Sequence, residues 1–125
     1  MTKTYSFFKR LSYAAHGLAY IIKHDRHILL HLIIGFMVIL FSFVSNINLI
    51  EWCLILSAIF LVIFSEIINS IVESLCDLID SNYNSKVGII KDISAGAVLF
   101  ISLYATIIGI IIFYPKCNQI LKDVI

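Results

Sequence analysis

From Leu49 to Ser65 the chain carries one charged residue, Glu51, and then the same uninterrupted helix-forming stretch turns polar at Glu66, Asn69, Glu73 and Asp77. An apolar run of that length must leave water, and in a bilayer it must do so as a helix that satisfies its own backbone. Two further runs of the same kind, starting near Ile28 and near Lys86, flank it. The fold class follows: an all-α membrane protein, with 61% hydrophobic and only 14% charged residues, against roughly a quarter charged in soluble domains. The 125 residues read as one integral membrane unit over 1–125.

The elements separate cleanly. Residues 5–24 form an amphipathic surface helix, in which Phe7, Phe8, Leu11, Ala14, Ala15, Leu18, Ile21 and Ile22 recur at helical spacing between Lys9, Arg10, His16 and Lys23. Such a mix suits the headgroup zone; the alternative is the polar half of a longer transmembrane helix. The spans are expected at about 28–44, 49–72 and 90–114. The second helix continues to about Ile79. The third begins between Lys86 and Asp92 and is expected to stop at Tyr114, because Pro115 follows. Ser45 to Asn48 is a short turn, and Asp80 to Ser85 a loop rich in residues that compete for backbone bonds. No A-x-A-like cleavage site follows the first apolar run, so a removed leader is not expected.

Lysine and arginine placement sets the orientation. Lys3, Lys9, Arg10, Lys23 and Arg26 precede the first span, and Lys86 and Lys91 lie between the second and third; only Lys116 and Lys122 lie beyond the third. The N-terminus and second loop are therefore expected in the cytoplasm. With Glu66 about 25 Å along its helix from Leu49, at 1.5 Å per residue, the acids lie at the cytoplasmic boundary rather than the midplane.

Ionisable residues in such a helix are functional hypotheses by default. At about 100° per residue, Glu66, Asn69, Glu73 and Asp77 share one stripe, with Ser70 beside them. Asp25, Lys91 and Asp92 gather at the same boundary. Carboxylates, an amide and a lysine suit Mg²⁺ and phosphate: Mg²⁺ prefers oxygen ligands, often one or two carboxylates with substrate phosphates. A free carboxylate could also take a proton from an attacking hydroxyl. Residue types alone stop at a cation or polyanion site. The five glycines are scattered, so there is no Walker A loop. A net charge of +1 and no polybasic patch leave nucleic acid without a docking field. His24, His27 and His31 share a helical face, as zinc ligands would, but at a headgroup boundary they more often meet water and phosphate. The cysteines Cys53, Cys76 and Cys117 lack metal or disulfide spacing.

Two strings go further. Glu66-Ile-Ile-Asn69-Ser70-Ile-Val-Glu73-Ser-Leu-Cys-Asp77, then Lys91-Asp92-Ile-Ser-Ala-Gly-Ala-Val98 after a tyrosine-containing loop, closely resemble the small prokaryotic diacylglycerol kinase / undecaprenol kinase family. The resemblance runs over about residues 8–114. It implies a homotrimer in the bacterial inner membrane, with active sites shared at subunit boundaries. It implies transfer of the ATP γ-phosphoryl group to a membrane lipid alcohol, with Mg²⁺. By position, Glu66 would be the general base and Asn69 would orient the reacting groups. Asp25 and Glu73 would hold the metal and, with Tyr13, Asn82, Tyr83, Asn84, Lys91 and Asp92, the nucleotide. Ala95-Gly96-Ala97 looks more like the undecaprenol kinases than the diacylglycerol kinases. The chain departs from the family at Asp25, where glutamate is usual, and at Leu29, where many members carry arginine. The missing methylene leaves three readings of Asp25: a shifted helix end, a bridging water, or no direct metal contact. The rival class is a non-enzyme, a small proton-coupled exporter or a scaffold. An exporter should place its carboxylate near mid-membrane; a scaffold would tolerate loss of Glu66 and Glu73 together.

Overall fold

The computed structural model describes residues 6–79 and 84–124. Four helices follow one another: α1 (Phe7–His24), α2 (Arg26–Val44), α3 (Leu49–Ile79) and α4 (Ser85–Val124). The last three are long and apolar enough to cross a membrane. At 1.5 Å per residue α3 is ~46 Å long, well beyond ~30 Å of hydrocarbon. Its polar end, from Glu66 onward, is the part that must emerge. α3 packs chiefly against α4, then α2, and α1 packs against α2.

α1 is a helix of its own rather than an extension of α2. The break is Asp25, whose backbone is extended and whose carboxylate caps α2 by accepting from the amides of His27 and Ile28. No α1 residue is buried by the rest of the chain. Its apolar side chains, among them Phe7, Phe8, Leu11 and Leu18, therefore remain available to a membrane surface.

The α2–α3 turn is built from local chemistry. Asn46 takes a left-handed backbone (φ 47°), which asparagine tolerates better than most residues. Asn48 and Glu51 cap α3 reciprocally: Asn48 N–H donates to Glu51 Oε2 at 2.7 Å, and Glu51 N–H to Asn48 Oδ1 at 3.0 Å. This is the capping-box arrangement with asparagine at its first position. Ile47 of the turn is buried with Ile55 and Ile112, and Trp52 and Phe113 pack around them.

Pro115 does not end the last helix; α4 runs through it to Val124. Proline removes one N–H and crowds the carbonyl four residues back, here Ile111. The turns on either side have reasons to stay helical. Ile112 is buried against the α2–α3 turn, Phe113 stacks obliquely on Phe41 at 4.9 Å, and Lys116 Nζ lies 3.7 Å from Glu51. A helix that stopped at Tyr114 would lose the last of these.

α2 and α3 approach closely at Gly35. Gly35 is buried, and a Cβ placed on it would lie 2.9 Å from Ile59 Cγ2. That methyl sits on a β-branched side chain with little freedom on a helix. Gly35→Val should therefore destabilise the bundle by about 1–3 kcal/mol through overpacking. Thermal unfolding in one detergent checks this, and Gly35→Val combined with Ile59→Ala should recover part of the loss.

Candidate functional site

The polar end of α3 lies alongside α1, and between them runs an open groove of about 720 Å³. Ala14, Gly17, Tyr20 and His24 of α1 line one wall; Ile67, Ser70, Glu73, Ser74 and Asp77 of α3 line the other, with Asp25 at the corner. Of the polar stripe read from the sequence, Glu73 and Asp77, with Ser70 beside them, line the α3 wall, whereas Glu66 and Asn69 do not. The α1 wall arises because Asp25 turns the chain there.

The expected site residues that fall among the described residues each have a definite place. Glu66 is 6% exposed, the most deeply buried acid among the described residues. It makes no hydrogen bond or ion pair to another described residue. It lies one helical turn before Ser70 and next in sequence to groove-lining Ile67, without lining the groove itself. Asn69 donates through Nδ2 to Glu73 Oε1 at 3.1 Å, while its own Oδ1 is buried and finds no partner among the described residues. Glu73 and Asp77 are exposed. Asp77 accepts from Lys91 Nζ at 2.6 Å, an ion pair that joins α3 to α4 and brings Lys91 to the groove's edge. Ser70 donates its hydroxyl to Asp25 Oδ2.

Asp92 and Tyr13 do not line the groove: Asp92 is exposed on α4, and Tyr13 is exposed on α1 next to groove-lining Ala14. Asn84 serves as a helix cap, its Oδ1 accepting from the Lys86 amide at 3.0 Å. Asn82 and Tyr83 lie outside the described residues. The histidines part company. His24 stacks on Tyr20 with ring centroids 4.2 Å apart inside the groove, whereas His31 lines a separate apolar cavity between α2, α3 and α4. Tyr20 is a groove residue that the sequence did not single out, and His24, read there with His27 and His31 on one helical face, instead pairs with Tyr20; their i, i+4 spacing on α1 was the available signal.

Electrostatics favour a charged Asp25. Partial burial pushes its carboxyl upward, but the Ser70 hydroxyl, the His27 and Ile28 amides and the nearby His27 ring outweigh that and lower it below the ordinary value. At neutral pH it is a carboxylate.

Among the described residues no three His, Cys, Asp or Glu side chains gather closely enough to hold a metal by themselves. The oxygen donors that line the groove closest to this corner are the Asp25 and Glu73 carboxylates, with Asn69 bonded to Glu73 from outside the groove lining. This all-oxygen, incomplete set suits a Mg²⁺ ion that keeps waters and arrives on a phosphate. It does not suit zinc, which wants four protein ligands in a structural site.

Comparison with known proteins agrees in kind. The family described as Prokaryotic diacylglycerol kinase matches residues 12–113. The undecaprenol kinase of Bacillus subtilis (strain 168) is 30% identical over 110 residues, covering 88% of this chain and 89% of that protein.

Proposed function

We propose that this chain, which belongs to the prokaryotic diacylglycerol kinase family and is an ATP-dependent membrane lipid kinase, phosphorylates undecaprenol to undecaprenyl phosphate. Two things favour this acceptor over diacylglycerol: the relative named undecaprenol kinase, which matches nearly the whole chain, and the Ala95-Gly96-Ala97 string of α4. The charge asymmetry of the loops supports a bacterial cytoplasmic membrane with the N-terminus and groove facing the cytoplasm. A thin core supports assembly of several copies, three by resemblance: among the described residues of one protomer the buried hydrophobics are Ile28, Ile47, Ile55, Ala58, Val62, Cys76 and Ile112.

The observation that carries the mechanism is Glu66, a buried carboxylate without a bonding partner among the described residues, one turn from the polar groove. A carboxylate already held by an arginine or lysine would be a poor base; this one has its lone pairs available. In the proposed reaction the lipid hydroxyl loses its proton to Glu66 as its oxygen bonds to the γ-phosphorus in line. The bond from γ-phosphorus to the bridging oxygen breaks, ADP leaves, and Glu66 returns the proton to water. Asn69, fixed by Glu73, would orient the reacting groups through its unpaired oxygen. Asp25 and Glu73 would hold Mg²⁺, which supplies charge neutralisation on the phosphates when bound. Lys91 would reach the nucleotide from the groove's edge.

The test is direct. Purified protein in lipid micelles is given labelled ATP and either undecaprenol or diacylglycerol. Label should enter undecaprenol with kcat/KM at least about tenfold higher, the scale of one lost apolar or polar specificity contact. Preference for diacylglycerol would overturn the acceptor and leave the kinase intact.

A further inference from the structure

Asp25 has the fullest set of partners of any acid around the groove. Oδ1 accepts the His27 amide at 2.8 Å and the Ile28 amide at 3.3 Å. Oδ2 accepts the Ser70 hydroxyl, which reaches across from α3. A carboxylate offers about four lone-pair sites. Three are taken, so one remains, on Oδ2. The bond to Ser70 joins residues 45 apart in sequence and ties the α1–α2 corner to the acidic face of α3. Both residues line the groove.

We propose that Ser70 is a positioning residue of the phosphoryl transfer: its hydroxyl fixes the Asp25 carboxylate against α3, so that its single unused oxygen lone pair is held in one direction for the metal–nucleotide. This rests on reading the groove as the nucleotide site. It also gives the shorter aspartate a role that glutamate would fill differently. Asp25 is close enough to the backbone to cap α2, and the α3 hydroxyl then sets its free edge. A serine that only pinned two helices together would affect stability; one that aims a ligand must also affect how metal-bound nucleotide is held.

The full-length protein in lipid nanodiscs serves as the test, with Mn²⁺ and ATP as probe. Mn²⁺ binding in the presence of ATP is read by electron paramagnetic resonance, alongside KM for Mg·ATP and kcat. Ser70→Ala should weaken Mn·ATP binding and raise KM about tenfold, the effect of losing a hydrogen bond to a charged group, with kcat much less affected. Ser70→Thr should restore most of the loss. If Ser70 acts through Asp25, the Ser70→Ala/Asp25→Asn pair should be no worse than Asp25→Asn alone. Unchanged Mn·ATP affinity in Ser70→Ala, or losses that simply add in the double variant, would overturn the proposal. Should Ser70→Ala fail to fold, Ser70→Val against the same-shaped Ser70→Thr makes the same comparison. If the unmodified protein phosphorylates no lipid, the kinase reading fails, while the Mn·ATP measurements still decide the role of Ser70.

Discussion

Glu66→Gln is expected to cut lipid phosphorylation by ~10²–10⁴-fold, the range attributed to a positioned acid or base, while Mg·ATP binding and thermal stability stay close to those of the unmodified protein. The argument for stability comes first. Glu66 is buried and makes no ion pair or hydrogen bond with another described residue. Removing its charge strands no partner, and a neutral amide is easier to bury than a carboxylate. Glutamine also keeps the length and shape of glutamate, so packing against the neighbouring helices is undisturbed. The argument for turnover follows from the same observation. An amide cannot take a proton from an attacking hydroxyl, and no other carboxylate in the stripe shares this position. Asp25 is already engaged by Ser70 and two amides, Glu73 by Asn69 and Asp77 by Lys91. If Glu66 were only polar glue between helices, glutamine would serve as well and turnover would hold within a factor of about three. Labelled-ATP transfer to lipid, measured at saturating substrates on a variant shown to be folded, separates these outcomes.

Much of this was legible in the sequence because it depends on one helix at a time. A 100° advance per residue puts Glu66, Asn69, Glu73 and Asp77 on one face whatever surrounds them, and apolar length marks the three spans. What periodicity cannot give is burial. Glu66 is enclosed while Glu73 and Asp77, on the same stripe, are exposed, because that depends on where the neighbouring helices stop. The Asp25–Ser70 bond was equally out of reach: it requires knowing that the chain turns at Asp25 and lays α1 beside α3. Pro115 is the opposite case, a strong local rule overruled by its surroundings. Ile112 meets the α2–α3 turn, Phe113 meets α2 and Lys116 meets the first turn of α3, and together they hold the helix through the break. The Asn48–Glu51 cap was readable in principle, as a capping residue followed three positions later by glutamate, but it was masked by a stretch that also looks like an ordinary polar turn.

Glu73 should produce the second large effect, and one whose sign depends on the metal. With Mg²⁺ present, Glu73→Gln is expected to weaken ATP binding by about 10–100-fold, the scale of lost charged contacts around a metal. In excess chelator the same substitution should leave ATP binding unchanged or slightly stronger. The reason is electrostatic. Glu73 is exposed in a groove that also holds the charged Asp25. Without a cation, these carboxylates repel a polyphosphate; with one, they attract it through the ion. Asp77 makes a useful contrast, because its charge is already met by Lys91 at 2.6 Å, so Asp77→Asn should show no such reversal. The Asn69 bond to Glu73 survives the substitution, since the glutamine oxygen can still accept from Nδ2, so loss of orientation at Asn69 does not confound the result. Nor should folding, as Glu73 is exposed and outside the core. Calorimetric or fluorescent ATP titrations with Mg²⁺ and with chelator are sufficient. If Glu73→Gln bound ATP as the unmodified protein does under both conditions, the groove between α1 and α3 would not be where the metal-bound triphosphate sits.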